Sequence, residues 1–314
     1  MIVYVTKRLG IGLVTLLLAS VVVFSVLEIL PGDPARIMLG MNASPDALEA
    51  LRQEMGLNQP APIRFFHWLA GLATGDLGRS YTYSSPVIDL VRERLVVSLP
   101  LALISLFLST VIAIPVGVYA ASRNGRLADT LTMGAAQVGI AVPNFWLALL
   151  LVYVFAVGLR ILPSGGFPGW SNPVDALQGL ILPAVSLALP QAAILARVTR
   201  SAMVETLGED FIRTARAKGL PRRKVLWRHA LRNAMIPVLT ILGLQFSFLL
   251  AGTIIIENVF YLPGLGRLIF QAINQRDLIV VEGVVMLLVA SVILINLVVD
   301  ISYAIVDPRL RISQ

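Results

Sequence analysis

The sequence predicts an all-helical integral membrane protein with six transmembrane helices, and three observations carry that prediction. Of 314 residues, 57% are hydrophobic and 14% charged, with a mean hydropathy of +0.83. A soluble domain averages about 25% charged residues and about 45–50% apolar ones, so one soluble core could not bury this much apolar content. The apolar residues also fall in long runs, at 9–30, 96–121, 131–157, 177–197, 235–256 and 281–303. About 20 residues suffice to cross about 30 Å of hydrocarbon as a helix. Lastly, the basic residues collect in alternate loops, as the positive-inside rule requires.

The first span, within residues 1–30, follows Lys7 and Arg8. Its apolar core is too long for a secretory signal and no small-residue cleavage site follows, so it reads as an uncleaved anchor. Residues 31–95 form a polar excursion with six basic and seven acidic side chains, close to neutral. Within it, 44–56 has Ser44 as N-cap, Pro45 at the first helical position and Gly56 as a stop. Residues 61–75 carry apolar side chains at helical spacing before GDLG (75–78) breaks the chain. The excursion therefore predicts a small folded cap on the periplasmic side.

The other five spans make a helical core over residues 96–303, and several contain proline: Pro100, Pro115, Pro143, Pro183 and Pro190. In lipid, backbone groups freed by proline must be satisfied by neighbouring helices or water. The prolines fit either bends beside a bundle interior or cavity, or ordinary packing kinks.

Between the fourth and fifth spans, the loop at 198–234 and its margins hold ten of the 25 Lys and Arg. They are Arg197, Arg200, Arg213, Arg216, Lys218, Arg222, Arg223, Lys224, Arg228 and Arg232, opposed only by Glu205, Glu209 and Asp210. With Lys7, Arg8, Arg123, Arg126, Arg309 and Arg311, sixteen basic residues fall on one side; the short loops opposite hold Arg160, Arg267 and Arg276. That asymmetry predicts both termini in the cytoplasm, with 304–314 a cytoplasmic tail and 1–314 a single transmembrane domain. The basic loop is also patterned. Asp210 is placed to cap a short helix, Gly219 to end it in the left-handed region, and Pro221 to open a second helix through about Met235. Such a hairpin suits docking.

Several classes of function are excluded. The chain has no cysteine, which removes disulfides, thiolate metal sites and cysteine nucleophiles. His67 and His229 fall in opposite compartments, and neither has a ligand partner nearby in sequence. There is no GxxxxGK[ST] phosphate loop, so any ATP that powers transport is held, with magnesium, by another chain. The net charge of +7 is concentrated beside the membrane and is not interleaved with aromatics, which argues against nucleic acid. Proton-coupled transporters place carboxylates near the midplane. Asp300 and Glu257 lie instead toward the ends of their spans, which counts against a proton-coupled secondary transporter.

Specific strings then point to a family. LPGDPA (30–35) closes the first span, GDLGRS (75–80) and SPVIDLVRERL (85–95) precede the second, and VPNFWLALLLVYVFAVGLRILPSGG covers 142–166. RTARAKGL (213–220) leads to RHALRNAMIPVLT (228–240), followed by ENVFYLPGLGRL (257–268) and VDPRLR (306–311). In this order and at these topological positions, the chain resembles the permease subunit of binding-protein-dependent ABC importers, in the dipeptide/oligopeptide branch. The resemblance runs from end to end.

It implies the type I ABC importer transmembrane fold, with an external loop subdomain between helices 1 and 2, in a bacterial inner membrane. It also implies a second homologous permease subunit, one or two cytoplasmic ATPase subunits and an extracytoplasmic binding protein that delivers peptides. Glutathione, nickel complexes or opine-like solutes are alternative cargoes of the same fold. On this resemblance the ATPase-coupling residues are Arg213, Thr214, Ala215, Arg216, Ala217, Lys218, Gly219 and Leu220, in the place of the family's Glu-Ala-Ala…Gly loop. Arg213 and Thr214 replace its Glu and Ala, while Ala215 and Gly219 keep their places. No residue of the chain is expected to be catalytic.

Few polar side chains lie at membrane depth: Gln137, Asn144, Gln191, Gln245 and Asn296. Such groups usually face a bundle interior or a water-filled path, and a lining of neutral amides suits a weakly held peptide backbone. Interhelical hydrogen bonds, at about 0.6 kcal/mol each, are the alternative role.

Overall fold

The computed structural model describes residues 2–29, 33–40 and 43–306; the LPG of the first motif and the terminal DPRLR lie outside them. The chain divides into two compact units, residues 1–98 with 263–294, and residues 99–262 with 295–314.

The first unit holds α1 (Ile2–Ile29), α2 (Pro34–Leu39), α3 (Pro45–Glu54), α4 (Ala61–Thr74) and a short antiparallel hairpin, β1 (Arg79–Ser80) with β2 (Ser85–Pro86). The opening turns of α5 (Val87–Ser122), all of α12 (Leu265–Gln275) and most of α13 (Leu278–Val306) complete it. Ser44 Oγ caps α3 by accepting from the Ala47 amide at 3.2 Å, with Pro45 at the first helical position. Gly56 (φ 67°) and Gly75 (φ 82°) follow α3 and α4 in the left-handed region that glycine enters without cost. Asp33 caps α2 through the Ala35 amide and accepts the Arg52 guanidinium at 2.5 Å, tying α2 to α3. Arg64 of α4 pairs with Glu28 of α1, and Phe24 stacks against Phe65 and Trp68 at 5.4 and 6.0 Å. The buried Asp277 carboxylate accepts from Ser80 Oγ and the Thr82 amide, holding the hairpin at the start of α13. Burial raises the Tyr81 phenol above its usual pKa, and the charges of Glu54 and Asp277 add to the effect.

The second unit holds the rest of α5, α6 (Leu127–Ala141), α7 (Asn144–Leu151) with a π-helical continuation (Val152–Gly158), α8 (Pro173–Leu207) and α9 (Asp210–Ala217). Then α10 (Arg222–Lys224), a π-helical turn (Val225–Ala230) and α11 (Leu231–Val259) run as one continuous helix from Arg222 to Val259. The centre of this unit is α8, buried over most of its apolar stretch against α11, α6 and α7.

The structure changes three sequence expectations. Among the described residues five helices are long and apolar enough to cross a membrane, or six if the bent pair that forms the expected third span counts as one. That pair consists of α6 and α7, which meet at 98° instead of forming one helix over 131–157. Val142 precedes Pro143 and takes an extended conformation (φ −78°, ψ 122°), because the proline ring disfavours the helical region for the residue before it. By contrast, Pro100, Pro115, Pro183, Pro190 and Pro237 lie inside continuous helices. The second helix of the core starts at Val87 instead of 96, because Val87, Leu90 and Val91 supply a buried face before the fully apolar run begins. Finally, the segment 198–234 holds the short helix and the second helix expected there, but the flanking spans run into it without a break. At 35 and 38 residues, α8 and the helix from Arg222 to Val259 are about 52 and 57 Å long, well beyond about 30 Å of hydrocarbon. Only residues 208–221 lie between them, and α9 occupies most of that segment.

α5 and α8 touch at Gly117. A Cβ there would lie 2.6 Å from Thr199 Cβ and 2.7 Å from the Ala196 carbonyl oxygen, which is backbone and cannot rotate aside. Gly117→Val is expected to force these helices apart at a cost of about 1–3 kcal/mol or more, as overpacking does. A lower unfolding midpoint for the purified chain checks this, with Gly134→Val, which meets nothing within 4 Å, as the control.

Candidate functional site

The most distinctive surface in the second unit is α9 with the turns that hold it. Ile212 and Ala215, three residues apart, face inward and are buried. They join Val118 and Ala121 of α5, Met203 of α8, and Val225, Ala230 and Ala234 on the helix that starts at Arg222. Burying Ile212 alone contributes about 1.5–3 kcal/mol, so α9 is anchored on three helix ends at once. Its other face is free: Arg213, Thr214, Arg216, Ala217 and Lys218 are exposed.

Both ends of α9 are defined. The residue in the N-cap position is Glu209, with extended backbone, and Asp210 is the first helical residue. Asp210 serves instead as an ion-pair partner of Arg213 at 3.1 Å. At the C-terminus the Leu220 amide donates to the Ala215 carbonyl at 3.3 Å and the Gly219 amide to the Arg216 carbonyl at 2.9 Å. Gly219 itself has φ 76°. This is a Schellman motif, completed by Leu220 packing onto the cluster that contains Ala215. Pro221, in extended conformation, then sets the start of the next helix at Arg222. The two small residues of the RTARAKGL run therefore differ. Ala215 allows α9 to approach its own helices, and Ala217 lies on the outward face.

Two contacts near α9 have no local sequence signal. Asp129, near the start of α6, is 4% exposed and pairs with Arg200 of α8 at 2.6 Å; Arg200 also donates to the Asn124 side chain. Arg222 donates to the carbonyl of Ser122 at the end of α5, where the helix dipole favours a cation. An isolated acid at the border of a basic loop and an apolar run was the available hint for Asp129.

The polar residues at membrane depth separate into different environments. Gln191 of α8 and Gln245 of α11 are brought together: the Gln245 amide nitrogen donates to the Gln191 backbone carbonyl at 2.7 Å, and Gln245 is 2% exposed. Both amide oxygens are buried and without a protein partner. Gln137 is exposed on α6 and accepts from Arg197 at 3.3 Å. Asn144 is half-buried at the start of α7, close to Gly252 of α11, and Asn296 is exposed on α13. Glu257 is fully buried near the end of α11 and is partnered, while the Asp300 side chain lies outside the described residues. Among the described residues no cluster of His, Asp or Glu could hold a metal ion.

Comparison with known proteins covers the whole chain. Residues 113–312 match the binding-protein-dependent transport system inner membrane component model, and residues 1–102 match the N-terminal model of the same transport-system membrane component. A permease of Brucella abortus (strain 2308), named for peptide transport, is 44% identical over 308 residues, 98% of each chain. The glutathione transport system permease protein of Escherichia coli (strain K12) is 43% identical over 309 residues, again 98% of each. Among solved structures, a chain of the MetNI methionine ABC transporter in inward-facing conformations superposes with a TM-score of 0.59 at 21% identity. That match covers 69% of this chain and 96% of the other and bears on the fold alone.

Proposed function

This chain belongs to the binding-protein-dependent transport system inner membrane component family, a family of multi-pass inner membrane proteins, and from that premise we propose how it works. It is the membrane-spanning permease subunit of an ATP-driven importer. It pairs with a second homologous permease, and cytoplasmic ATPase subunits grip α9. An extracytoplasmic binding protein delivers peptides to the path between the two permeases. The observation that carries this reading is identity above 40%, over 98% of each chain, to permeases named for peptide and glutathione transport. Glutathione is itself a small peptide, so the second relative points to the same class of cargo.

The form of α9 supports its role as the handle. A short helix anchored by Ile212, closed by a Schellman turn and presenting Arg213, Arg216, Lys218 and the small Ala217 can enter a cleft and transmit force without melting. The three cations would steer an acidic cleft rim into register, which sets orientation and association rate more than affinity. Both termini then share the compartment of α9. Gln137, Asn144, Gln191, Gln245 and Asn296 are the polar candidates for lining a peptide path, and cysteine accessibility at each tests that role.

The test is co-purification from native membrane followed by uptake in vesicles. The expected result is a particle containing ATPase polypeptides and a second permease, with ATP-dependent uptake of labelled di- and tripeptides. Ala217→Glu is expected to leave the membrane level unchanged while uptake falls at least tenfold. A lone chain with pH-gradient-driven uptake would instead identify a secondary transporter.

A further inference from the structure

Beside α9, along the flank that carries Arg216, lies a cavity of about 530 Å³. It opens between the turn after α5, the end of α8 and the start of the helix at Arg222. Four arginines are among its lining residues, Arg123, Arg126, Arg216 and Arg222, and no acidic residue is. Val204, Leu207, Leu220 and Leu226 contribute an apolar floor. Among the described residues no carboxylate pairs with any of the four; Asp129 is engaged by Arg200 and Asp210 by Arg213. Arg222 is held in place through its bond to the Ser122 carbonyl, and guanidinium carries five N–H donors, so donors remain on every one of the four.

We propose that this cavity is a binding site for a phosphate-bearing anion. The four side chains are exposed, so solvent screens their mutual repulsion, but together they concentrate positive charge that a bound anion would neutralise. A single carboxylate would compensate only a quarter of that charge. A phosphate ester brings close to two charges, and its oxygens match the planar fork of arginine in paired hydrogen bonds. The volume falls in the range of about 300–1,000 Å³ typical of small-ligand sites. The apolar floor suits the organic part of a phosphate ester, whether a soluble metabolite or the glycerol region of an anionic phospholipid. An occupant would join Arg216 of α9 to Arg123 beyond α5, adding a tie between α9 and the end of α5 to the packing of Ile212 and Ala215. This is independent of peptide import, and the test reads binding alone.

The full-length chain is reconstituted in phosphatidylcholine nanodiscs and titrated with inorganic pyrophosphate by calorimetry. Saturable binding is expected, and Arg123→Gln with Arg126→Gln should weaken it at least tenfold. Arg223→Gln with Arg228→Gln removes the same charge from outside the cavity lining and is expected to change affinity less than threefold. Nanodiscs containing phosphatidylglycerol separate the two sources. Weaker apparent pyrophosphate affinity there identifies a lipid headgroup as the competing occupant, and unchanged affinity identifies a soluble phosphate ester. No saturable binding in phosphatidylcholine, or equal losses in the two double variants, would overturn the proposal.

Discussion

Gly219→Pro is expected to abolish uptake while the chain still inserts and purifies at its normal level. Gly219 has φ 76°, and its amide donates to the Arg216 carbonyl. Proline is locked near φ −65° and has no N–H, so neither feature survives; a misplaced proline of this kind costs about 3 kcal/mol locally. The Schellman turn opens, Leu220 leaves the cluster around Ala215, and α9 loses its fixed bearing on α5, α8 and α11. A Cβ at this position would meet nothing within 4 Å, so the defect is expected to come from the backbone, through the lost N–H, the fixed φ and the ring's approach to the Arg216 carbonyl. Gly219→Asn, which enters the left-handed region at modest cost, is the informative partner and should retain most uptake. With the ATPase subunits present, Gly219→Pro is expected to hydrolyse ATP without moving cargo. Normal uptake by this variant would remove α9 as the coupling element.

The second large effect is expected at Asp129. Asp129 is 4% exposed and Arg200 is its charged partner, so Asp129→Leu leaves a guanidinium side chain, 27% exposed, without its counter-charge and bonded only to the Asn124 side chain. Removing one member of a fully buried pair costs about 3–5 kcal/mol. Partial solvation of Arg200 reduces the expectation here to about 2–3 kcal/mol. Thermal unfolding of the purified chain reads the loss as a drop of several degrees. Adding Arg200→Leu should restore at least half of it, since both charges are then gone. A double variant as unstable as the single one would show that the pair does not hold α6 to α8 in the way the geometry indicates.

These two sites differ in how far the sequence exposes them. Gly219 is visible beforehand, because a glycine after a short amphipathic run is a local signal of a left-handed helix end. The Asp129–Arg200 pair spans 71 positions, and nothing local links its members. The same contrast holds for the two alanines of α9. Their composition suggests close approach, but only the packing of Ile212 and Ala215 onto α5, α8 and α11 shows which alanine faces inward.

The sequence alone determined the membrane class, the number of apolar runs, the sidedness expected from charge and the likeness to importer permeases. Each of these follows from composition, run length or ordered motifs, which are properties read along the chain. Tertiary structure decided where the helices end. Apolar runs mark only the part of a helix that lipid requires, whereas α8 and the helix from Arg222 continue beyond it because an apolar face on each extension, with Met203 on one and Val225, Ala230 and Ala234 on the other, packs on neighbouring helices and α9. It also decided that the third run breaks at Val142 and that the basic segment is two helix ends around a short helix. Four arginines from three segments line one cavity there, an arrangement set by contacts between residues distant in sequence.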